Sequence, residues 1–378
     1  MSSSTRDAAA QMTDAAMSLL ESLDPDQRAI ALWPFEDQAE RERWFYTPTD
    51  HGGLTLSAMT PTQQRLAHRL LASGLSRAGY VTASTIIGLE NVLDQLEGFM
   101  SDWGRERGRD PGLFYTRIFG DPAGEGPWSW RFGGHHVSVH HVILDGEVVG
   151  STPLFLGADP ASSPLLGPHP LRPLAGVEDL GRGLVRSLDE GQRRMAIVAG
   201  VAPVDLVGAN RSRYGQAPGD LPLDLASVWR TRFEGELDER LLSFHARAVD
   251  ESGLTSEHLE AVRLDQTPRG LAASAMSDDQ RNMLRSLLDL YVGRLPDDLA
   301  SLESIKYASQ EALGGLAFMW AGGLEPGQGH YYRIQGIDIL CEYDNTLSGA
   351  NHVHSVWRDP HRDFGADPLA AHYRRSHA

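Results

Sequence analysis

Cysteine is nearly missing from this sequence: one, Cys341, stands among 378 residues. A single thiol closes no internal disulfide, and its alternating apolar surroundings predict an inert group buried in a strand, so nothing points to an oxidising compartment. Positive charge is also short. Lys and Arg number 34 against 51 Asp and Glu, a formal net charge of -17, and a field of that sign repels phosphate backbones and anionic lipid. Nucleic acid and membrane surfaces are therefore not expected partners. No apolar run approaches the roughly 20 residues needed to span a bilayer, and the polar stretch Met1 to Asp7 lacks the basic-then-apolar order of a secretory signal. A cytoplasmic setting is expected.

Several common signatures are absent as well. There is no Gly-x-Gly-x-x-Gly after a strand, no phosphate loop ending in Gly-Lys-Ser/Thr, no His-Glu-x-x-His and no Gly-x-Ser-x-Gly elbow. The usual nucleotide, dinucleotide and serine-hydrolase readings lose their support.

What is present is self-similarity, found in three matches that keep the same order. Ser22-Leu-Asp-Pro-Asp-Gln27-Arg28 matches Ser187-Leu-Asp-Glu-Gly-Gln192-Arg193. In both, an Asp three residues before a Gln reads as a helix cap whose partner reaches back to it. Gly53-Leu-Thr-Leu-Ser57-Ala-Met59-Thr60-Pro-Thr-Gln63 matches Gly270-Leu-Ala-Ala-Ser274-Ala-Met276-Ser277-Asp-Asp-Gln280. Here Thr60 and Ser277 cap, and Pro61 takes the first helical position, where its missing donor costs nothing. Trp130-Arg131-Phe132-Gly-Gly134 matches Tyr332-Arg333-Ile334-Gln-Gly336, which sets His136 opposite Asp338 and His140 opposite Glu342.

These matches predict an internally duplicated α+β protein whose two pseudo-symmetric halves are each a helical block followed by an antiparallel sheet. The halves are expected at 1–170 and 171–378, with the proline-rich stretch Leu156 to Pro173 between them. An inserted helical segment, a subdomain or lid, is expected near 202–266. Helices are predicted at about 11–32, 38–45, 60–75, 81–100, 174–198, 224–251, 255–262, 277–293 and 296–312. Strands are predicted at about 112–119, 127–133, 135–144, 147–156, 315–322, 329–336, 338–344 and 352–358.

The densest ligand-type cluster lies in the last strands: His330, Glu342, Asp344, His352, His354 and, shortly after, His361. Residues two apart on a strand share a face, so His352 and His354 converge, as do Glu342 and Asp344 on the preceding strand. Such nitrogen and oxygen donors suit zinc, iron, manganese or copper; hydrogen-bonded histidines at a sheet surface are the plainer alternative. In the first half alternation sets His135, Val137, Val139 and His141 on one face and His136, Ser138 and His140 on the other. The second face is the more polar, which makes His136 and His140 ligand candidates and His135 and His141 core or supporting residues. One site shared between the halves is the economical expectation, with two sites as the alternative. Arg333 and its counterpart Arg131 either clamp a substrate anion or hold the fold. Tyr332 and Trp357 are candidates for lining a pocket, and Arg358 for positioning beside the histidines.

At His330-Tyr-Tyr-Arg-Ile-Gln-Gly336, Glu342-Tyr-Asp-Asn-Thr346 and Asn351-His-Val-His-Ser-Val-Trp-Arg-Asp359 the chain resembles the family known as domain of unknown function 3500. Gly134-His-His136 and Pro153-Leu-Phe-Leu-Gly157 extend the resemblance, which covers most of the chain. It implies His136, His352 and His354 as a polar centre, and it carries no activity. The expectation is a metal-dependent enzyme acting on a small molecule, with His136, His140, His352 and His354 as ligands of a divalent ion and Glu342 or Asp344 as fourth ligand or general base. Hydrolysis is the default chemistry. Oxygen chemistry at iron or copper, and non-catalytic small-molecule binding, are the alternatives.

Overall fold

The helix caps read from the sequence close as bonded boxes. Asp24 accepts from the Gln27 N–H at 2.8 Å, and the Gln27 side chain accepts from the Asp24 N–H at 3.2 Å. The same two bonds form at Asp189 and Gln192, at Thr60 and Gln63, and at Ser277 and Gln280. Each early cap is also tied to a later one. Gln27 and Gln63 exchange amide hydrogen bonds at 3.1 and 2.7 Å, and Gln192 and Gln280 do so at 3.0 and 2.9 Å. These caps break two helices expected to be continuous, because a capping residue must leave helical backbone. The first becomes Ser3–Ser22 and Pro25–Ala31, and 174–198 becomes Ala175–Ser187 and Glu190–Ala196. The stretch 224–251 likewise divides into Leu225–Trp229 and Glu236–Ser252.

The protein is described by a computed structural model over residues 3–164, 168–216, 218–229 and 233–366. Residues 165–167 of the expected linker, and 217 and 230–232 of the expected insertion, lie outside the described residues. Strands in the first half are β1 (Leu32–Trp33), β2 (Leu54–Thr55), β3 (Tyr115–Phe119), β4 (Trp128–Gly134), β5 (Val137–Leu144), β6 (Glu147–Gly150) and β7 (Leu154–Ala158). They are followed by β8 (Ile197–Ala199), β9 (Leu271–Ala272), β10 (Ala317–Gly322), β11 (His330–Gln335), β12 (Leu340–Thr346) and β13 (His352–Arg358).

The expectation of two antiparallel sheets is corrected: the strands form one mixed sheet, ordered β1-β3-β4-β5-β7-β13-β12-β11-β10-β8. The join is an antiparallel pairing of β7 with β13, from Val353 opposite Ala158 to Trp357 opposite Leu154. Parallel pairs occur at both edges, β1 with β3 and β8 with β10. The chain is thus of the α+β class, with most of the helices on one face and loops, short helices and the helix Glu236–Ser252 on the other.

Alternation divides each central strand between these faces. Val137, Val139, Val353 and Trp357 point into the helical core, which also holds Leu19, Leu71, Leu184 and Leu288 and so spans both sides of residue 170. Phe155 and Val356 point the other way, into a second apolar cluster with Trp44, Tyr46 and Leu206. No helix among the described residues is long and apolar enough to cross a membrane.

Candidate metal centre

The strand expected from residue 135 begins at Val137, and His135–His136 instead form the tight turn joining β4 to β5. His136 turns there with φ of 65°, a left-handed conformation that is costly for a side chain bearing a Cβ. Two backbone bonds hold it, from its N–H to the Tyr46 carbonyl at 3.0 Å and from the Gly157 N–H to its carbonyl at 2.8 Å. A Cβ on Gly157 would stand 2.7 Å from His136 Cδ2. Only glycine leaves room for the ring above β7.

His352 and His354 reach the same place from β13, where their period-two spacing sets both on the loop-covered face. Residues Ser348, Gly349 and Ala350, all with positive φ, bring the chain back from β12. The Asn345 side chain then accepts from the His352 N–H at 3.1 Å. The three Nε2 atoms form a triangle with sides of 2.8 Å (His136 to His352), 3.1 Å (His352 to His354) and 3.3 Å (His354 to His136).

The opposite edge of two of these rings fixes what the triangle means. Asp205 Oδ1 lies 2.7 Å from His354 Nδ1, and Asp159 Oδ2 lies 3.2 Å from His352 Nδ1. The hydrogen bond to Asp205 places a hydrogen on His354 Nδ1 and leaves Nε2 of the neutral ring as an acceptor, whereas Asp159 stands behind His352 at ion-pair range without a formed hydrogen bond. Burial, reinforced by the neighbouring histidines, holds His136 and His352 well below the usual imidazole range, which keeps both neutral. Three imidazole nitrogens so placed could hold a divalent ion such as zinc, which commonly takes histidine nitrogens as ligands.

Around the triangle lie further buried titratable groups. His135 stacks on His136 with ring centroids 3.8 Å apart, and its Nδ1 lies 2.5 Å from Glu90 Oε1. Burial pushes Glu90 up to about 8 and Asp159 up to about 7, in both cases against the pull of Arg109. Tyr46 meets His354 edge-on and donates to Asp205 Oδ2 at 2.9 Å.

The other expected site residues lie elsewhere, and their partners show what they do. His140 is buried beside Ser138, whose hydroxyl is 2.9 Å from its Nε2, and does not join the triangle. Glu342 is not among the ligands either: it accepts from the Val207 and Gly208 N–H groups and from the Tyr331 hydroxyl. Asp344 does stand across from His354 in the β12–β13 register. Its Oδ1 accepts from Thr346, its Oδ2 has no partner, and burial next to Asp205 pushes it well above the carboxylate range.

The residues expected to line a substrate pocket make contacts within the fold, and of them Trp357 also lines a cavity, one of about 530 Å³ away from the three imidazoles. Arg333 donates to the Val262 and Arg263 carbonyls, and Arg358 to Asp363 rather than to its neighbour Asp359. Tyr332 stacks on Tyr343 and donates to the Val177 carbonyl. Trp357 belongs to the helical core. His330 is sandwiched between Trp320 and Tyr343, and His361 is exposed.

Two cavities approach the centre along the chain, though neither is lined by the three imidazoles. One of about 480 Å³ is bounded by 200–204 and 346–349, the residues just before Asp205 and leading to His352. Another of about 500 Å³ is bounded by Ala161, Ser162, Asn345 and Asn351. A family model described as protein of unknown function (DUF3500) matches residues 5–366. Comparison with curated proteins and with solved structures returns no match.

Proposed function

The chain belongs to the DUF3500 family, whose function is unknown, and we propose from its own site that it is a metal-dependent enzyme acting on a small molecule, with His136, His352 and His354 as the ligands. One observation carries the reading. His136, His352 and His354 bring their Nε2 atoms within 3.3 Å of one another, and carboxylates stand at the Nδ1 edges of the last two. Carboxylate-backed imidazoles are the usual surroundings of a bound zinc ion. Three histidines with an open fourth position suit hydrolysis, because a bound divalent ion supplies hydroxide near neutral pH and polarises a carbonyl.

The chain's own groups have separable roles in this reading. His136 closes the triangle from the first half, and the hydrogen bond to Asp205 keeps His354 in the metal-binding tautomer. Tyr46 and Phe155 wall the centre with apolar surface. The all-imidazole set also suits copper, whereas manganese and non-haem iron commonly take carboxylate as well. Oxygen chemistry at copper is therefore the second reading. We further propose that the chain arose by internal duplication, which is supported by the twin pairs of linked helix caps and by a strand order that runs alike inward from either edge.

Elemental analysis of protein purified without an affinity tag tests the site. About one zinc per chain supports the hydrolytic reading, and copper supports the second. His352→Ala and His354→Ala should each lose the ion. A folded parent that neither retains metal nor takes up zinc or copper on incubation would falsify both readings.

A further inference from the structure

Resting on the metal reading above, we infer that Asp205 is the principal positioning residue of this centre, and Asp159 a weaker one. Asp205 comes from the segment after β8, far in sequence from every ligand. The carboxylate is nevertheless fixed on all sides. Its Oδ1 takes the Leu206 N–H at 2.6 Å and His354 Nδ1 at 2.7 Å, and its Oδ2 takes the Tyr46 hydroxyl at 2.9 Å. The next residues are pinned in turn, because the Val207 and Gly208 N–H groups both donate to buried Glu342. Glu342, which the sequence nominates as a ligand, thus acts two links away by anchoring the segment that carries Asp205.

Asp159 stands behind His352 at ion-pair range, without a formed hydrogen bond. Its distance to His352 is 3.2 Å, and its side chain is 13% exposed against 3% for Asp205. A carboxylate behind a ligating imidazole fixes the ring's tautomer and orientation and makes the ligand nitrogen more basic, and removal of such partners weakens metal affinity by roughly 10- to 100-fold. Unequal distance and burial predict unequal losses. Geometry also orders the substitutions at 205. Asparagine would turn its amide group to the Tyr46 hydroxyl and keep an oxygen for His354, losing charge alone, while alanine loses both charge and bond.

The test is a zinc titration in competition with a chromophoric chelator, with the visible absorption of the cobalt-substituted protein read in parallel. Asp205→Ala is expected to weaken zinc roughly 10- to 100-fold and to alter the cobalt spectrum. Asp205→Asn should fall between it and the parent, and Asp159→Asn and Tyr46→Phe should show smaller losses. Circular dichroism confirms that each variant is folded, and if Asp205→Ala does not fold, the order of the other three decides. Parent-like affinity and spectra in the folded Asp205 variants, with the parent holding one ion, would overturn this inference and leave the metal site standing. A parent without affinity for zinc or cobalt would overturn both.

Discussion

Four residues of extended chain span about 13 Å, and that length keeps His140 away from the triangle of His136, His352 and His354. The period-two rule was sound: Ser138 and His140 lie on the loop side of the sheet, while Val137, Val139 and His141 face the helices, with His141 bonded to the Gly74 carbonyl. Period alone says which way a side chain points. Reach requires counting residues as well, and by that count pairs two apart, such as His352 and His354, were legible as convergent. His136 joins them because it sits in a turn that the alternation hid. The supporting carboxylates carried no local signal, since Asp159 and Asp205 reach the histidines only through the pairing of β7 with β13 and the folding of the segment after β8. His140→Gln is therefore expected to retain metal at the parent's stoichiometry, the amide keeping a partner for the Ser138 hydroxyl. Loss of the ion in that variant, measured by elemental analysis beside His352→Ala, would restore His140 to the ligand set.

At the scale of elements, the residues matched between the halves do the same mechanical work twice. Gly53 has φ of 119°, and a Cβ there would lie 2.6 Å from the Thr116 carbonyl oxygen on β3; Gly270 has φ of 106°, with the corresponding gap to the Phe318 oxygen on β10 only 2.3 Å. Each glycine brings a short strand, β2 or β9, against a longer one where no side chain fits. Helix starts were legible for a related reason: a cap and its glutamine lie within one turn, so their chemistry is complete in the local sequence. Single long helices were expected across Asp24 and Asp189 because apolar periodicity continues through both caps. Gly270→Ala combines a disallowed φ with a backbone collision, and a loss on the order of 2 kcal/mol or more is expected in denaturant unfolding. An unchanged midpoint would mean that β9 does not need this close approach.

For the whole molecule, the unforeseen feature is the join of two sets of strands into one sheet. Pairing of Val353 with Ala158 links positions so distant that no window of sequence contains it. The continuous core that results encloses titratable groups that a smaller domain would leave at its edge. His141 is fully buried, stacks on Trp130 at 5.0 Å, and is depressed to about 4 by burial, which outweighs its bond to the Gly74 carbonyl. His330, stacked on Trp320 at the same 5.0 Å, is likewise depressed to about 4, by burial above all. Unfolded histidine binds its proton near 6.5. The unfolded chain therefore takes protons first, so the stability these groups provide is intact above 6.5 and is lost as pH falls toward and through about 4. Each group contributes on the order of 3 kcal/mol to that loss once fully protonated. Chemical unfolding between pH 7 and 4 should thus show a steep decline, and His141→Gln, which still offers a donor to the Gly74 carbonyl, should decline less steeply than the parent. Parallel curves for the two proteins would show that His141 exchanges no proton on unfolding and that the core admits its charged form.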